Sequence, residues 1–294
     1  RNLIEVEAGA SVTFAGSLVL SGRYNSNSII AAKGQVTLTG NAAVSNGRIA
    51  NGYTGIIDIS GANAGFTMNG GTVEKNSVNG QACGTIRVSE GASVQIQGGA
   101  IQNNKIAREN NFNSSAGILL LGSSKGSMSG GTISGNSSYR GSAIMLCGSS
   151  NEGHAAFTLS GGTVSGNHWA KEEIGLSGAG AVYIEGDASF QMNGGSITGN
   201  SGEVGGGVAV ADSGIYSSPY NTEFVMTGGE ISGNSAVSAG GGIYSYSDGV
   251  SLMGGSITGN SAGKMGGGIY SEGNTTAYST LYMENACITG NSAE

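Results

Sequence analysis

Proline, cysteine and charge are all scarce in this chain, and each shortage removes a class of protein. Pro219 stands alone among 294 residues, charged residues make up 11%, and 57 glycines fill much of the remainder, a mixture unlike an ordinary globular domain. Cys83, Cys147 and Cys287 are odd in number, sit at unrelated repeat positions and form no CxxC pair. They read as free thiols rather than as a disulfide framework or a zinc site, and no other metal or cofactor is called for. No run of about 18 apolar residues is present to span a bilayer, and no charged-then-apolar segment opens the chain as a signal. A net charge of −7 with no basic cluster argues against a nucleic acid or an anionic membrane as partner. That charge is also too small, and a hydrophobic content of 38% too large, for a disordered chain, so a core is expected.

What fills the sequence is a repeat. GGSITGNSAGKMGGGIYS (254–271) recurs in variant form at 130, 194 and 228. Each unit has the order hydrophobe-x-hydrophobe, a glycine pair, a hydrophobe, then Asn, as in Phe157-Thr158-Leu159, Gly161-Gly162, Val164 and Asn167. The first hydrophobe and the one after the glycines keep a constant separation: Val36/Ala43, Phe66/Val73, Val94/Ile101, Phe157/Val164, Phe190/Ile197, Phe224/Ile231, Val250/Ile257 and Leu281/Ile288, with Gly126 in the first slot before Ile133. Length varies between Asn and the next alternating segment, and between that segment and the next unit. Three short period-two segments per unit describe strands, because glycine pairs would cost a helix about 1 kcal/mol per glycine. Strands this short bury a face only when stacked on copies of themselves at about 4.8 Å. The predicted fold is therefore all-β: a parallel β-helix, expected to be right-handed, with about ten coils of three strands. Both ends stop inside a coil, which reads as a piece of a longer protein flanked by other domains.

The repeated Asn residues are Asn46, Asn76, Asn104, Asn136, Asn167, Asn200, Asn234, Asn260 and Asn291. Asn at this place can adopt the left-handed conformation and turn the corner, while its amide bonds to its equivalents above and below as an internal ladder. The glycines before the third strand, such as Gly240-Gly241-Gly242, serve tight corners; they lack the Lys-Ser/Thr and following helix of a phosphate cradle.

GGGIY beside ITGNSA resembles the paired GGAI and FxxN repeats of polymorphic outer membrane proteins, and the GGTISGN arrays of large bacterial surface proteins, both linked to the pectin-lyase-like fold. Ile133-Ser134-Gly135-Asn136 has Ile in place of the Phe of FxxN, so the surface-array type is the nearer match. The resemblance implies an extracellular β-helix, at the cell surface or secreted, acting as a stalk or adhesin toward a host or microbial protein or glycan.

Polysaccharide lyases and hydrolases also use this fold, and the acids test that alternative. Glycoside hydrolysis needs two carboxylates about 5–9.5 Å apart. Asp58 has an outward strand slot, whereas Asp187, Asp212 and Asp248 fall after third strands, and Glu74 and Glu230 share a face at different offsets five rungs apart. Arg87 has an outward slot without an acid cluster for a cation. The reading is thus a non-catalytic scaffold. Residues 169–175 form the densest polar patch, with His168, Trp169, Glu172 and Glu173, expected as a solvated loop or a single helical turn; His154 lies in another corner. Rows such as Thr163/Ser165 and Ser196/Thr198 could order ice-like water, but Glu74, Glu230 and Cys287 interrupt them.

One face carries the wrong outward residues for plain solvent. With Ile118/Leu120, Ile144/Leu146, Val182/Ile184 and Val208/Val210 inward, alternation puts Leu119, Met145, Tyr183, Tyr244, Tyr246 and Tyr270 outside. Such a stripe exceeds what a soluble chain leaves bare, so either the insertions at 105–115, 168–179 and 211–222 cover it or a partner does.

Overall fold

A computed structural model of the chain describes residues 1–22, 27–50, 52–107, 113–149, 151–170, 178–211, 222–246, 249–273 and 280–294. Their regular structure is all strand, and each strand pairs in parallel with its equivalents one turn before and after. The result is a parallel β-solenoid. Its regular part amounts to about eight turns, fewer than the ten expected, and among the described residues a fourth strand recurs from turn to turn.

That additional strand is a correction to the three-strand reading. Directly after each ladder position runs a short strand, mostly of two residues, such as Ser77–Val78, Lys105–Ile106, Ser137–Ser138 and His168–Trp169. These stack into a nine-stranded sheet of their own, beside a ten-stranded sheet built from the third strands. The first and second strands meet at the glycine pair, and in two turns they run together as Gly65–Glu74 and Ser93–Gln102.

Inward residues stack on themselves from turn to turn. Phe157 lies face to face on Phe190 at 5.5 Å between ring centroids, and Phe224 follows at 6.0 Å. The irregular Gly126 belongs to this column, in register with Phe157. A side chain on Gly126 would collide with the Phe157 ring, so the large residue of one turn fills the room left by the small residue of the turn before. The second glycine of each pair has an equally definite cause. Gly162 has φ of +83°, and a first side-chain carbon there would lie 2.6 Å from Met128 Cε and 2.8 Å from the Gly131 carbonyl. The methionine that ends one first strand packs beneath the glycine corner of the next turn.

The Asn ladder is present and continuous. Nδ2 of Asn76, Asn104, Asn136, Asn167, Asn200, Asn234 and Asn260 each donates to Oδ1 of the following ladder Asn at 2.9–3.0 Å, ending at Asn291. The same Oδ1 also accepts the backbone N–H of the preceding ladder residue, as from Asn136 to Asn167 at 3.0 Å. The second Nδ2 hydrogen goes to the second-strand carbonyl of the turn before, from Asn167 to Ile133 at 2.9 Å. Each interior carboxamide thus fills two donor and two acceptor sites while buried from water.

Two details differ from the sequence reading. Asn46 is exposed and outside the ladder; Val44 rather than Ala43 pairs with Val73, so Gly47 occupies the ladder place and donates its N–H to Asn76 Oδ1 at 2.8 Å. The left-handed residue is the one before the ladder, Asn46 (φ 55°), Lys75 (φ 57°), Asn103 (φ 54°) or a glycine such as Gly166 (φ 61°). Glycine dominates there because a residue with a Cβ costs about 1–2 kcal/mol in that conformation.

These contacts give a measurable contrast. Asn167→Ala leaves the Ile133 carbonyl, Asn200 Oδ1 and the Asn136 amide short of partners and should cost about 1–3 kcal/mol in urea unfolding. Gln191→Ala, at an exposed outward position of the strand Ala188–Met192, should stay within about 0.5 kcal/mol, as a surface change. Equal losses for the two would contradict the ladder assignment.

Candidate functional site

The outward residues of the third strands form one column in register: Ala31, Asp58, Arg87, Leu119, Met145, Tyr183, Ala209, Tyr244 and Tyr270. Its chemistry changes along the rod. At the N-terminal end Arg87 Nη1 lies 3.0 Å from Asp58 Oδ1, an ion pair between adjacent turns. The guanidinium also donates to the Ala82 carbonyl at 3.0 Å and to Ser89 Oγ at 3.1 Å. An open groove of about 320 Å³ beside it is lined by Arg87, Ser89, Glu90, Leu121, Gly122 and Glu152.

The middle of the column, which holds three of the candidate binding residues, is not exposed. Leu119, Met145 and Tyr183 are buried, and with Ala209, Ala179 and Val204 they form a second apolar cluster on the outer side of the sheet. Alternation correctly puts them outside the core but says nothing of what crosses over them. Part of the cover is Arg140, which follows the short strand Ser137–Ser138. Its Nη1 donates to the Tyr183 hydroxyl at 2.8 Å, and its guanidinium carbon stands 5.5 Å from that ring's centroid. Ala179 N donates to the Arg140 carbonyl at 2.8 Å and fixes the returning chain over the sheet.

Toward the C-terminal end the column surfaces again. Tyr244, Tyr246 and Tyr270 are half-buried, and the rings of Tyr244 and Tyr270 stack at 5.9 Å with 20° between planes. The two rings therefore cover part of one face of each other, and the Tyr244 hydroxyl donates to Glu272 Oε2 at 3.5 Å. Glu272 is exposed in the next outward place, paired in register with Tyr246.

The polar patch expected as a loop is in part a strand. His168 and Trp169 pair with Ser137 and Ser138, and His168 pairs again with Ser201. The Trp169 indole packs on the backbone of Gly178, where a side chain would lie 2.5 Å from its Cδ1. This makes Trp169 a structural contact and leaves His168 exposed. Glu172 and Glu173 lie outside the described residues, as do Asp212 and Asp248.

Sequence reasoning missed a third grouping. His154 Nδ1 stands 2.7 Å from Asp187 Oδ1 and its Nε2 2.8 Å from Ser189 Oγ. The signal was available: aligning HAAF (154–157) with DASF (187–190) on their phenylalanines puts His154 opposite Asp187, as the register Ala155 to Ala188 confirms.

Among the described residues no group of three or more His, Cys, Asp or Glu side chains could hold a metal ion, and no helix is long and apolar enough to cross a membrane. All three cysteines are free. No protein-family model, curated protein or solved structure matches the chain. Its class is set by its own architecture: a parallel β-solenoid with an internal asparagine ladder.

Four acids in or near this face are held neutral by the fold. Burial first, then Glu185, pushes Tyr183 up to about 12 from an ordinary 10, against the opposing pull of Arg140. Burial, Glu272 and Tyr270 raise Tyr244 to about 12; burial, then Glu185 and Glu152, raises Cys147 from 9 to about 12, and burial raises Cys83 to about 11. Below about pH 8 neither the folded nor the unfolded chain ionises them, so their full stabilisation is present. From about pH 8 for the thiols and pH 9 for the tyrosines the unfolded chain releases protons that the folded chain retains, and stability falls until the native groups ionise at about 11–12. The urea midpoint should accordingly be flat from pH 7 to 8, begin to fall near pH 9 as the unfolded thiols ionise and drop further to pH 11.5, less steeply in Tyr183→Phe. A midpoint that is constant to pH 11.5, or an unchanged slope in Tyr183→Phe, would contradict this electrostatic account.

Proposed function

We propose that the chain is an extracellular repeat scaffold, a stalk or adhesin segment of a cell-surface or secreted protein, that docks a partner on the tyrosine end of its third face. The observation carrying this reading is the Tyr244–Tyr270 stack. The column to which it belongs is buried through Leu119, Met145, Tyr183 and Ala209 and becomes half-exposed at the two stacked rings. Aromatic rings already ordered against each other lose little freedom on docking and supply large contact area with a polar rim. The repeat itself supports the scaffold half of the proposal. Its constant residues go to core, corner and ladder, and GGTISGN and GGGIY resemble arrays of bacterial surface proteins and polymorphic outer membrane proteins.

Half-buried stacked tyrosines beside the Glu272 carboxylate suit a protein or a glycan partner. The competing reading, a polysaccharide lyase or hydrolase, draws on the groove beside Arg87. There the guanidinium is bonded to Asp58, Ser89 and the Ala82 carbonyl, an arrangement that positions it rather than frees it as a base.

Binding to a panel of immobilised host and microbial surface proteins and glycans tests the docking reading. Tyr244→Ser with Tyr270→Ser should reduce binding at least about tenfold, in line with the loss of two aromatic anchors. The melting temperature should shift by only a few degrees, because the rings are half-exposed. Retained binding in the double variant would overturn the assignment to this face.

A further inference from the structure

On the first face, away from the tyrosines, His154, Asp187 and Ser189 have a connectivity that neither core nor ladder requires. His154 precedes the strand Ala155–Leu159, and Asp187 precedes the matching strand Ala188–Met192 one turn later. Ser189 is the first outward residue of that second strand, in register with Ala156. The carboxylate at 2.7 Å holds the proton on Nδ1, so Nε2 turns its lone pair to the serine hydroxyl, which donates to it at 2.8 Å. Both ring nitrogens are engaged although His154 is exposed and Ser189 only half-buried. Burial does not demand these bonds, since water would satisfy the same groups.

The support beneath the three side chains is rigid. Ala155 N donates to the Asp187 carbonyl at 3.0 Å. The neighbouring Gly186 carbonyl accepts from Thr222 Oγ1 at 2.6 Å, and Gly186, at φ +71°, lies too close to the Gly148 carbonyl to carry a side chain. The turn presenting Asp187 is therefore pinned to the turns on both sides. Around Ser189 the outward column reads Lys125, Ala156, Ser189, Glu223. Ala156 offers only a methyl group, leaving the hydroxyl open on that side, and Lys125 lies two strand spacings from Ser189, about 10 Å.

We propose that Ser189 is an activated nucleophile for acyl transfer from short-chain carboxylic esters, with His154 as general base and Asp187 as the positioning residue. The proposal adds a reactive group to the scaffold and does not rest on the tyrosine end. Ser189 Oγ attacks the ester carbonyl carbon as His154 Nε2 takes the hydroxyl proton. The carbon–oxygen bond to the leaving group then breaks, and the departing alcohol takes that proton from His154. Water attacks the acyl-serine with His154 again as base; the carboxylic acid leaves and Ser189 recovers its proton. An open strand face sets no limit on the leaving group, so the acyl group can come from a small free ester or from an ester carried on an extended polymer.

The unaltered chain is treated with a fluorophosphonate and its adducts are mapped by mass spectrometry. Ser189 should react on the order of a hundredfold faster than the outward Ser196 and Ser256, the scale of general-base assistance. His154→Gln should abolish that preference and Asp187→Asn should reduce it at least about tenfold, with melting temperatures within a few degrees of the parent. p-Nitrophenyl acetate and an acetylated polysaccharide form the substrate arms. Acetate release from the polysaccharide, lost in Ser189→Ala, assigns polymer-borne esters; release from p-nitrophenyl acetate alone, lost in the same variant, assigns small ones. Labelling of Ser189 no faster than of Ser196, or the absence of release in both arms, overturns the proposal, and the serine comparison requires no variant to fold.

Discussion

A line of eight carboxamides, seven of them buried and each bonded to the next, sets the geometry on which the rest of the solenoid depends. Successive ladder residues are 28, 32, 31, 33, 34, 26 and 31 positions apart, yet their amide bonds all measure 2.9–3.0 Å. Turn length is thus free to vary while turn rise is not. Asparagine is the side chain that meets the constraint, because it alone combines the required reach with two donors and two acceptors. Aspartate would bring oxygens against the Ile133 carbonyl and the next Oδ1, and a buried charge as well.

The ladder dictates what surrounds it. Chain direction must reverse into the corner just ahead of each Asn, which demands a left-handed residue and explains the glycine of the GN pair. The strand before must deliver a carbonyl to the Asn amide, so the residue three before the ladder points inward and is Val or Ile throughout. Insertions are excluded from this stretch and collect in the two connections the ladder does not touch. Stability is therefore distributed as a sum of neighbouring-turn contacts, and no single turn forms a core alone.

Much of this was legible in the residues. Constant hydrophobe spacing, glycine pairs and repeated Asn were enough to derive parallel stacked strands and a buried ladder. The strand following each Asn was not, since two residues such as Ser137–Ser138 carry no period to detect. Asn46 misled because the SNG sequence there slides the pattern by one residue, and only pairing of Val44 with Val73 shows the true register. Burial of Leu119, Met145 and Tyr183 was legible only as one of two alternatives, cover by the chain itself or by a partner. It depends on contacts such as Arg140 to Tyr183, between residues 43 apart, and strand alternation has no information on that scale. The loop candidates fared similarly: Trp169 proved to be a packing residue, whereas His154 found partners that a turn-by-turn alignment would have revealed.

The central claim, that consecutive asparagine side chains are hydrogen-bonded to one another through the core, is most directly tested by nuclear magnetic resonance on deuterated, nitrogen-15 and carbon-13 labelled protein. Scalar couplings transmitted across Nδ2–H···Oδ1 bonds should connect Asn76 to Asn291 in seven successive steps through the eight ladder residues. Their side-chain hydrogens should exchange with deuterium orders of magnitude more slowly than those of exposed Asn46. Ladder asparagines that exchange as fast as Asn46 and show no coupling between turns would contradict the account.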